Sequence, residues 1–317
     1  MHGTPETFYA KILLFGEYTV IFNSMGLAVP YTKFNGQLRF MDEKQHGGDA
    51  FAVESNRQLE LFAQYLSEIA GQDDERTFDT GRLESDIRKG LYFESSIPQG
   101  YGVGSSGALC AAIYHQYGFN AVSVHQISAQ NQAIRLRSLF ALMESYFHGQ
   151  SSGLDPLLCY IRKPILIRED KQVEIVALPH ERFHGQMAVF LVDTGISGKT
   201  GPLVNLFRQK ARSEEYLAFI QHHLIPVTHV CITCLLEGRI PEFFDSLRQL
   251  TEMQLDHFRE MIPAGLTEVW KTGMRTGDFY LKLCGSGGGG FLLGMSPDPE
   301  RAQILLEQYG ISPVLVF

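Results

Sequence analysis

The chain has 317 residues, of which 44% are hydrophobic and 20% are charged, and its formal net charge is −8 at pH 7. This composition is typical of a globular protein, and the length suggests about two domains, each able to bury a sizeable core. The acidic balance, with no long run of Lys or Arg, argues against a nucleic-acid-binding surface, although a local basic pocket for a nucleotide stays open.

The cysteines and the N-terminus give no sign of export or of a metal centre. Cys231 and Cys234 form a single C-x-x-C inside an apolar helical pattern, which favours a buried pair of small residues over a zinc site. The first residues show no basic segment followed by a cleavable apolar stretch, and no apolar run approaches membrane-spanning length. We therefore expect a cytoplasmic protein that does not act at a membrane.

The first part of the chain combines strand and helix patterns. Residues 7–15 and 27–41 are β-prone, and the second range is long enough for two strands. A polar stretch at 42–50 predicts a loop. Asn56 then reads as the cap of a helix that ends at Gly71.

Residues 90–118 predict a strand, a glycine-serine loop and a helix. The strand covers 90–97, Pro98 ends it, and helical spacing of apolar residues covers 108–117. The loop contains Gly100, Gly102, Gly104, Ser105, Ser106 and Gly107. Such a loop can point its amide N–H groups at an anion, and the helix N-terminus adds a partial positive charge. A short glycine pattern alone favours an ordinary glycine-rich turn over a phosphate-binding loop.

Two more helices are expected after this loop. Ser123 and Gln126 form a capping box before a long helix that ends near His148. Asp155 and Pro156 then read as the cap and the first position of the next helix.

The second part of the chain predicts a sheet with helices. The expected order is a hairpin at 163–178, a strand at 186–194, mostly helix over 202–276, strands at 279–284 and 291–295 around a glycine run, a helix at 298–309 and a final strand. The change of character near residue 195 suggests domains at 1–195 and 196–317, both of the α+β class.

Four separated segments contain the groups that phosphoryl transfer requires: backbone donors for phosphates, a carboxylate for Mg²⁺ and a base for the acceptor hydroxyl. Glu144 offers a hard oxygen ligand, and Asp155 offers a carboxylate that Lys11 could keep ionised. Taken alone, Asp155 is better explained as a helix N-cap and Glu144 as a solvent-facing helix residue. The glycine run at 285–290 could form a flexible hairpin loop, but its tight position between two strands favours close backbone packing.

In this order, the segments KILLFGEYTV, PQGYGVGSSGA, ESYFHGQSSGLD and KLCGSGGGGF resemble the motifs of the GHMP kinase superfamily, and within it most resemble those of mevalonate kinase. The resemblance spans residues 11–291, and the joint match is specific although each fragment alone is weak. Tyr18 stands where that family has histidine, and Gly107 stands where it has alanine.

The resemblance implies a two-domain α+β GHMP kinase fold, with a left-handed βαβ unit in the N-terminal domain and a ferredoxin-like C-terminal domain. It implies an ATP- and Mg²⁺-dependent kinase that transfers the γ-phosphate to a hydroxyl, with mevalonate as the expected acceptor. The alternatives are a phosphomevalonate or sugar kinase, or a catalytically idle member that binds a ligand. The partners would be ATP and a small molecule, without nucleic acid or membrane; the oligomeric state stays open, with a homodimer as one alternative.

The resemblance also implies roles for individual residues. Asp155 would be the catalytic base and Lys11 its partner, and Glu144 and Ser106 would be the Mg²⁺ ligands. The phosphates would be held by Gly100, Gly102, Val103, Gly104, Ser105 and Ser106. The acceptor would meet Glu17, Tyr18, Ser152 and Gly153. The glycine run at 285–290 would support the phosphate loop.

Overall fold

The computed structural model describes residues 6–41, 49–70, 77–124, 127, 130–179, 183, 186–198 and 200–316. Three sequence expectations fall partly outside these residues, namely the loop at 42–50, the helix end at Gly71 and the Gln126 half of the capping box.

The chain divides into two compact units. Unit 1 is built from Met1–Lys11, Pro30–Pro98 and Gly104–Lys163, and unit 2 from Ile12–Val29, Gln99–Val103 and Pro164–Phe317. The domain boundary at residue 195 stays a prediction.

Unit 1 combines helices with part of an antiparallel sheet. Strand β1 (Phe8–Phe15) and strand β2 (Gly26–Phe40) each contribute to both units, and in unit 1 the end of β2 pairs with β3 (Leu91–Ser95). The helices are α1 (Ala50–Ala70), α2 (Thr80–Arg88), α3 (Ser105–Tyr117), α4 (Gln130–His148) and α5 (Leu154–Ile161). Because α5 packs against both α3 and α4, it brings their ends to one place.

The start of α1 differs from the sequence expectation. The helix begins at Ala50, where the Asp49 carboxylate accepts the Phe51 N–H at 3.0 Å. Asn56 lies inside the helix and donates its side-chain amide to the backbone carbonyls of Ile87 and Leu91. Asn56 is therefore a link between α1 and the α2–β3 connection, and its prediction as a helix cap is wrong.

Two further expectations about element boundaries are corrected. The range predicted to hold two strands forms one 15-residue strand, β2. Helix α5 has its N-cap at Gly153, with φ of 71°, so Asp155 lies within the first turn and not at the cap. Since glycine adopts a positive φ at little steric cost, the chain can enter α5 two residues earlier than the Asp-Pro pattern suggests.

Unit 2 contains the rest of the first sheet and a second sheet. The start of β2 pairs with β4 (Ile165–Ile167), which pairs with β5 (Val173–Ile175), as the predicted hairpin requires. The second sheet consists of β6 (Ala188–Asp193), β7 (Tyr280–Leu283), β8 (Phe291–Ser296) and β9 (Val314–Leu315). Its spatial order is β7-β8-β6-β9, with antiparallel pairing throughout. With helices after β6 and β8, this arrangement is the predicted ferredoxin-like βαββαβ unit.

The helices of unit 2 are α6 (Thr200–Lys210), α7 (Glu214–Phe219), α8 (Ile225–Glu237), α9 (Ile240–His257), α10 (Thr267–Thr276) and α11 (Pro299–Glu307). A π-helical turn joins α7 to α8, and the continuous helix Glu214–Glu237 has the length and apolar composition that could span a membrane, unlike the sequence expectation. Its buried face includes Cys231 and Cys234 and packs on α9. One face of this helix is buried and the other is exposed, and a single helix of this length and composition is weak evidence of a membrane span.

Candidate active site

Lys11 and Asp155 form an ion pair in unit 1. The Lys11 Nζ lies 2.9 Å from the Asp155 Oδ2, with the lysine side chain 6% exposed and the aspartate side chain 41% exposed. A buried ammonium needs a counter-charge, and a carboxylate in the first turn of a helix is also favoured by the helix dipole. Because Gly153 occupies the N-cap, capping does not account for Asp155. The pair combines a buried cation with a carboxylate that remains accessible to a substrate.

Glu144 is buried near the end of α4, and its carboxylate has two hydroxyl neighbours. Ser106 Oγ donates to Oε1 at 3.2 Å, and Ser151 Oγ donates to Oε2. His148 Nε2 lies 3.1 Å from the same Ser106 hydroxyl. Since Glu144 is only 4% exposed, the alternative of a solvent-facing helix residue is wrong.

Burial raises the pKa of Glu144 to about 7, and the negative charge of Asp155 acts in the same direction. The hydrogen bonds from Ser151 and Ser106 and the charge of Lys11 lower the pKa and oppose this effect. A divalent cation would favour the ionised carboxylate, and Mg²⁺ prefers hard oxygen ligands such as carboxylate and hydroxyl. The adjacent Glu144 and Ser106 oxygens therefore fit the metal that the sequence resemblance implies.

The second half of the glycine loop, which belongs to unit 1, packs directly on the ion pair. Gly104 is the N-cap of α3 with φ of 82°, and a Cβ there would lie 2.8 Å from the Lys11 Cγ. A Cβ on Gly107 would lie 2.9 Å from the backbone of Asp155 and Pro156. Glycine at 107 permits this close approach of α3 to α5, which a Cβ at that position would hinder. Ser105 and Ser106 open α3, where the first backbone N–H groups lack intrahelical acceptors and can bind an anion.

The first half of the loop belongs to unit 2 and packs on the glycine run at 285–290. Gly100 and Gly102 both have positive φ, and a Cβ on Gly102 would lie 3.0 Å from the Cys284 carbonyl oxygen. A Cβ on Gly290 would lie 2.6 Å from the Tyr101 Cα. Val103 is fully buried, so only its backbone could face a phosphate. Close backbone packing, rather than a flexible hairpin loop, is therefore the role of the glycine run.

The residues predicted to meet the acceptor make other contacts in this structure. Glu17 pairs with Lys282, and both side chains are buried. Tyr18 donates its hydroxyl to the Ser286 carbonyl oxygen. These contacts lie within unit 2.

The other two predicted acceptor residues, Ser152 and Gly153, lie in unit 1 on the loop before α5. The Ser152 carbonyl accepts a hydrogen bond from Arg137 Nε at 3.0 Å. A Cβ on Gly153 would lie 2.1 Å from the Arg137 carbonyl oxygen, so this loop packs tightly on α4. The acceptor roles of both residues stay predictions.

Four residues of these clusters were not among the predicted site residues. His148, Ser151 and Lys282 lie within the quoted motifs, so the sequence carried a signal for all three. Arg137 lies outside the motifs and had no such signal, because an arginine on a helix is an ordinary surface residue. Only the fold shows that Ser151 contacts Glu144 and that Arg137 holds the Ser152 carbonyl.

Two family models match the sequence, "GHMP kinases N terminal domain" over residues 64–162 and "GHMP kinases C terminal" over residues 231–312. Together they match more than half of the chain, which belongs to the GHMP kinase family. No curated protein matches the sequence significantly.

Solved structures of this family share the fold. The mevalonate kinase of L. major in complex with R-mevalonate aligns with a TM-score of 0.64 at 13% identity, over 99% of this chain and 96% of that one. The phosphomevalonate kinase of Streptococcus pneumoniae in complex with phosphomevalonate and AMPPNP gives 0.63 at 11% identity, over 99% of each chain. The galactokinase of Lactococcus lactis complexed with galactose gives 0.64 at 15% identity, over 98% of this chain and 92% of that one. The three acceptors differ, so the shared fold alone does not select one.

Proposed function

We propose that this protein is an ATP- and Mg²⁺-dependent kinase that phosphorylates the hydroxyl of a small molecule, with mevalonate as acceptor and 5-phosphomevalonate as product. The observation that carries the proposal is the Lys11–Asp155 pair, a half-exposed carboxylate held 2.9 Å from a buried ammonium. A protein that only binds a ligand has no need of this arrangement. Membership of the GHMP kinase family supports kinase activity in general.

In the proposed reaction, Asp155 accepts the proton of the acceptor hydroxyl. The acceptor oxygen then forms a bond to the γ-phosphorus of ATP, the bond from that phosphorus to the β–γ bridging oxygen breaks, and ADP leaves. Lys11 forms the ion pair with Asp155 and adds positive charge beside the attacking oxygen. Mg²⁺, held by Glu144 and Ser106, would supply charge neutralisation for the phosphates. The loop amides from Gly100 to Ser106 would hold the phosphates in place.

The choice of mevalonate rests on sequence features. The Gly16-Glu17 pair after β1 and the spacing from Glu144 to Asp155 both match the mevalonate kinase motifs. Phosphomevalonate and sugars are the competing acceptors, since kinases of both kinds share the fold to a similar degree. The cytoplasmic location and the oligomeric state stay predictions.

A coupled assay of ADP release tests the proposal, with R-mevalonate, phosphomevalonate, galactose and homoserine offered separately. We expect release above the ATP-only background with mevalonate, and its loss when Mg²⁺ is omitted or when the Asp155→Asn variant is used. Turnover of another acceptor with mevalonate at background would reject mevalonate and keep the kinase class. No turnover of any acceptor, together with measurable ATP binding, would favour the idle ligand-binding member.

A further inference from the structure

Tyr18 has a strained backbone conformation. Its φ is 66° and its ψ is −40°, and the Thr19 N–H donates to the Glu17 carbonyl at 2.8 Å across it. This is the γ-turn with positive φ, a rare turn that is costly for a bulky side chain. Such a conformation persists only where surrounding contacts hold it, and it marks a position that merits a functional explanation.

The contacts that hold Tyr18 are aromatic. Its ring lies 4.6 Å from the Phe207 ring and 5.5 Å from the Phe258 ring, between centroids, and the residue is only 5% exposed. Burial and the nearby Glu17 carboxylate raise the pKa of the Tyr18 hydroxyl, so the group stays protonated. It therefore acts as a hydrogen-bond donor fixed in direction by the packed ring.

The acceptor of that hydrogen bond lies in the glycine run that packs on the nucleotide loop. Tyr18 Oη donates to the Ser286 carbonyl oxygen at 2.5 Å. Two residues earlier, the Cys284 carbonyl lies against Gly102, and at the other end of the run Gly290 lies against Tyr101. The Tyr101 and Phe291 rings also make contact, with centroids 5.0 Å apart. A shift of this run would therefore move the backbone around Gly102.

We propose that Tyr18 is a positioning residue for the nucleotide loop rather than a contact for the acceptor. Its hydroxyl binds the Ser286 carbonyl and so restrains the glycine run at 285–290. Because this run packs on the nucleotide loop, it keeps Gly100 to Val103 in the conformation that receives phosphate. The inference rests on the proposed nucleotide-binding function of that loop. It assigns a role to the tyrosine at the position where the mevalonate kinase motif has histidine.

The test removes only the hydroxyl, in Tyr18→Phe. The matched control is Tyr216→Phe, because Tyr216 lies in the same unit and donates its hydroxyl to a backbone carbonyl, that of His257, at 3.2 Å. Calorimetry gives the Kd for ATP, and steady-state kinetics give the KM for the acceptor. Loss of one hydrogen bond predicts a rise in the Kd for ATP of about 3- to 10-fold in Tyr18→Phe, with an unchanged acceptor KM. The control should leave both constants unchanged.

Hydrogen exchange supplies a second measurement that does not need turnover. Amides in 99–103 and 285–290 should exchange faster in Tyr18→Phe than in the wild type, and at the wild-type rate in Tyr216→Phe. An unchanged Kd for ATP, or a rise confined to the acceptor KM, would overturn the inference. A wild-type protein that binds no ATP would overturn the proposed function and this inference together. A wild type that binds ATP but turns over no acceptor would reject the kinase activity alone, since the comparison of ATP Kd values still decides the role of Tyr18.

Discussion

Asp155 is the residue at which a structural and a catalytic role predict different results. Asparagine is nearly isosteric with aspartate and preserves the packing of α5, but it cannot accept a proton. We expect Asp155→Asn to lower kcat by ~10²–10⁴-fold, equivalent to roughly 3–5 kcal/mol of barrier. The Kd for ATP should change little, whereas the melting temperature should fall, because the buried Lys11 ammonium loses its counter-charge although the helix cap, Gly153, is unchanged.

Lys11→Met provides the companion variant for the same measurement of kcat. If the two residues act as a unit, the double variant should lose less than the product of the two single losses. An Asp155→Asn enzyme that kept more than about a tenth of the wild-type kcat would contradict the role of general base.

Local sequence patterns predicted the chemical roles of individual residues more successfully than they predicted which residues those side chains contact. Lys11 was predicted to act beside Asp155, and the structure joins the two side chains in an ion pair. The burial of Glu144 could not be inferred, because it depends on α4 packing against α5 and on Ser106 reaching across from α3. Helical periodicity describes one helix at a time and contains no information on which helix covers a given face.

At the scale of elements, the junction between the glycine loop and α3 makes a sharp prediction. Gly104→Ala places a Cβ 2.8 Å from the Lys11 Cγ at a residue whose φ is 82°. The left-handed conformation alone costs an alanine roughly 1–2 kcal/mol. We expect a lower free energy of unfolding in urea and weaker ATP binding by calorimetry.

Gly81→Ala is the control for this substitution. Gly81 lies in α2, and a Cβ there would meet nothing within 4 Å, so alanine should be neutral or slightly stabilising. Equal stability and equal ATP affinity in Gly104→Ala and the wild type would show that the backbone at Gly104 can relax, and would count against a rigid phosphate cradle.

The element boundaries show why sequence patterns place helix starts imprecisely. The Asp-Pro pair at 155–156 is a good local signal for a helix N-cap followed by the first helical position. The N-cap is nevertheless Gly153, because this residue packs closely on Arg137 and Ala141 of α4 and so fixes the position of the loop before α5. Asn56 is a good capping residue, but tertiary contacts use its amide to hold two backbone carbonyls. In both cases packing between elements overrides a local preference.

At the scale of the whole molecule, four short motifs were sufficient to predict the family and the two-part fold, because their order and spacing are jointly specific. The contacts that join distant parts of unit 2 were not predictable. Glu17 and Lys282 are 265 residues apart in the chain, and Tyr18 and Ser286 are 268 apart. No local pattern pairs residues at such separations.

The environment of His229, in unit 2, allows a prediction of how the free energy of unfolding depends on pH. The His229 Nε2 accepts the Met25 N–H at 3.0 Å and so must be unprotonated, while Nδ1 lies 3.2 Å from Glu169 Oε1. Burial lowers the pKa of His229 from 6.5, and Glu169 opposes this only in part. Because the unfolded chain binds the proton more readily, the contribution to stability is present above pH 6.5 and is lost as the pH falls through the lower pKa of the folded state.

Urea unfolding between about pH 5.5 and about pH 7.5 measures this contribution. We expect His229→Gln to reduce the loss of stability on acidification, since glutamine can accept the Met25 N–H but does not titrate in this range. His222→Gln, at an exposed position of the π-helical turn, is the control. Identical pH profiles for wild type and His229→Gln would contradict the assignment.

The interleaving of the two units along the chain has a consequence for synthesis on the ribosome. All segments of unit 1 have been made once residue 163 is complete, whereas unit 2 needs both residues 12–29 and the last part of the chain. At typical rates of translation, Lys282 is synthesised on the order of tens of seconds after Glu17, its partner in the buried ion pair. During that interval the Phe15 ring lacks its native contacts with Phe243 and Lys282, so we expect a nascent chain of this protein to depend on chaperones early and to complete its second unit only once the strands that follow Lys282 have been made.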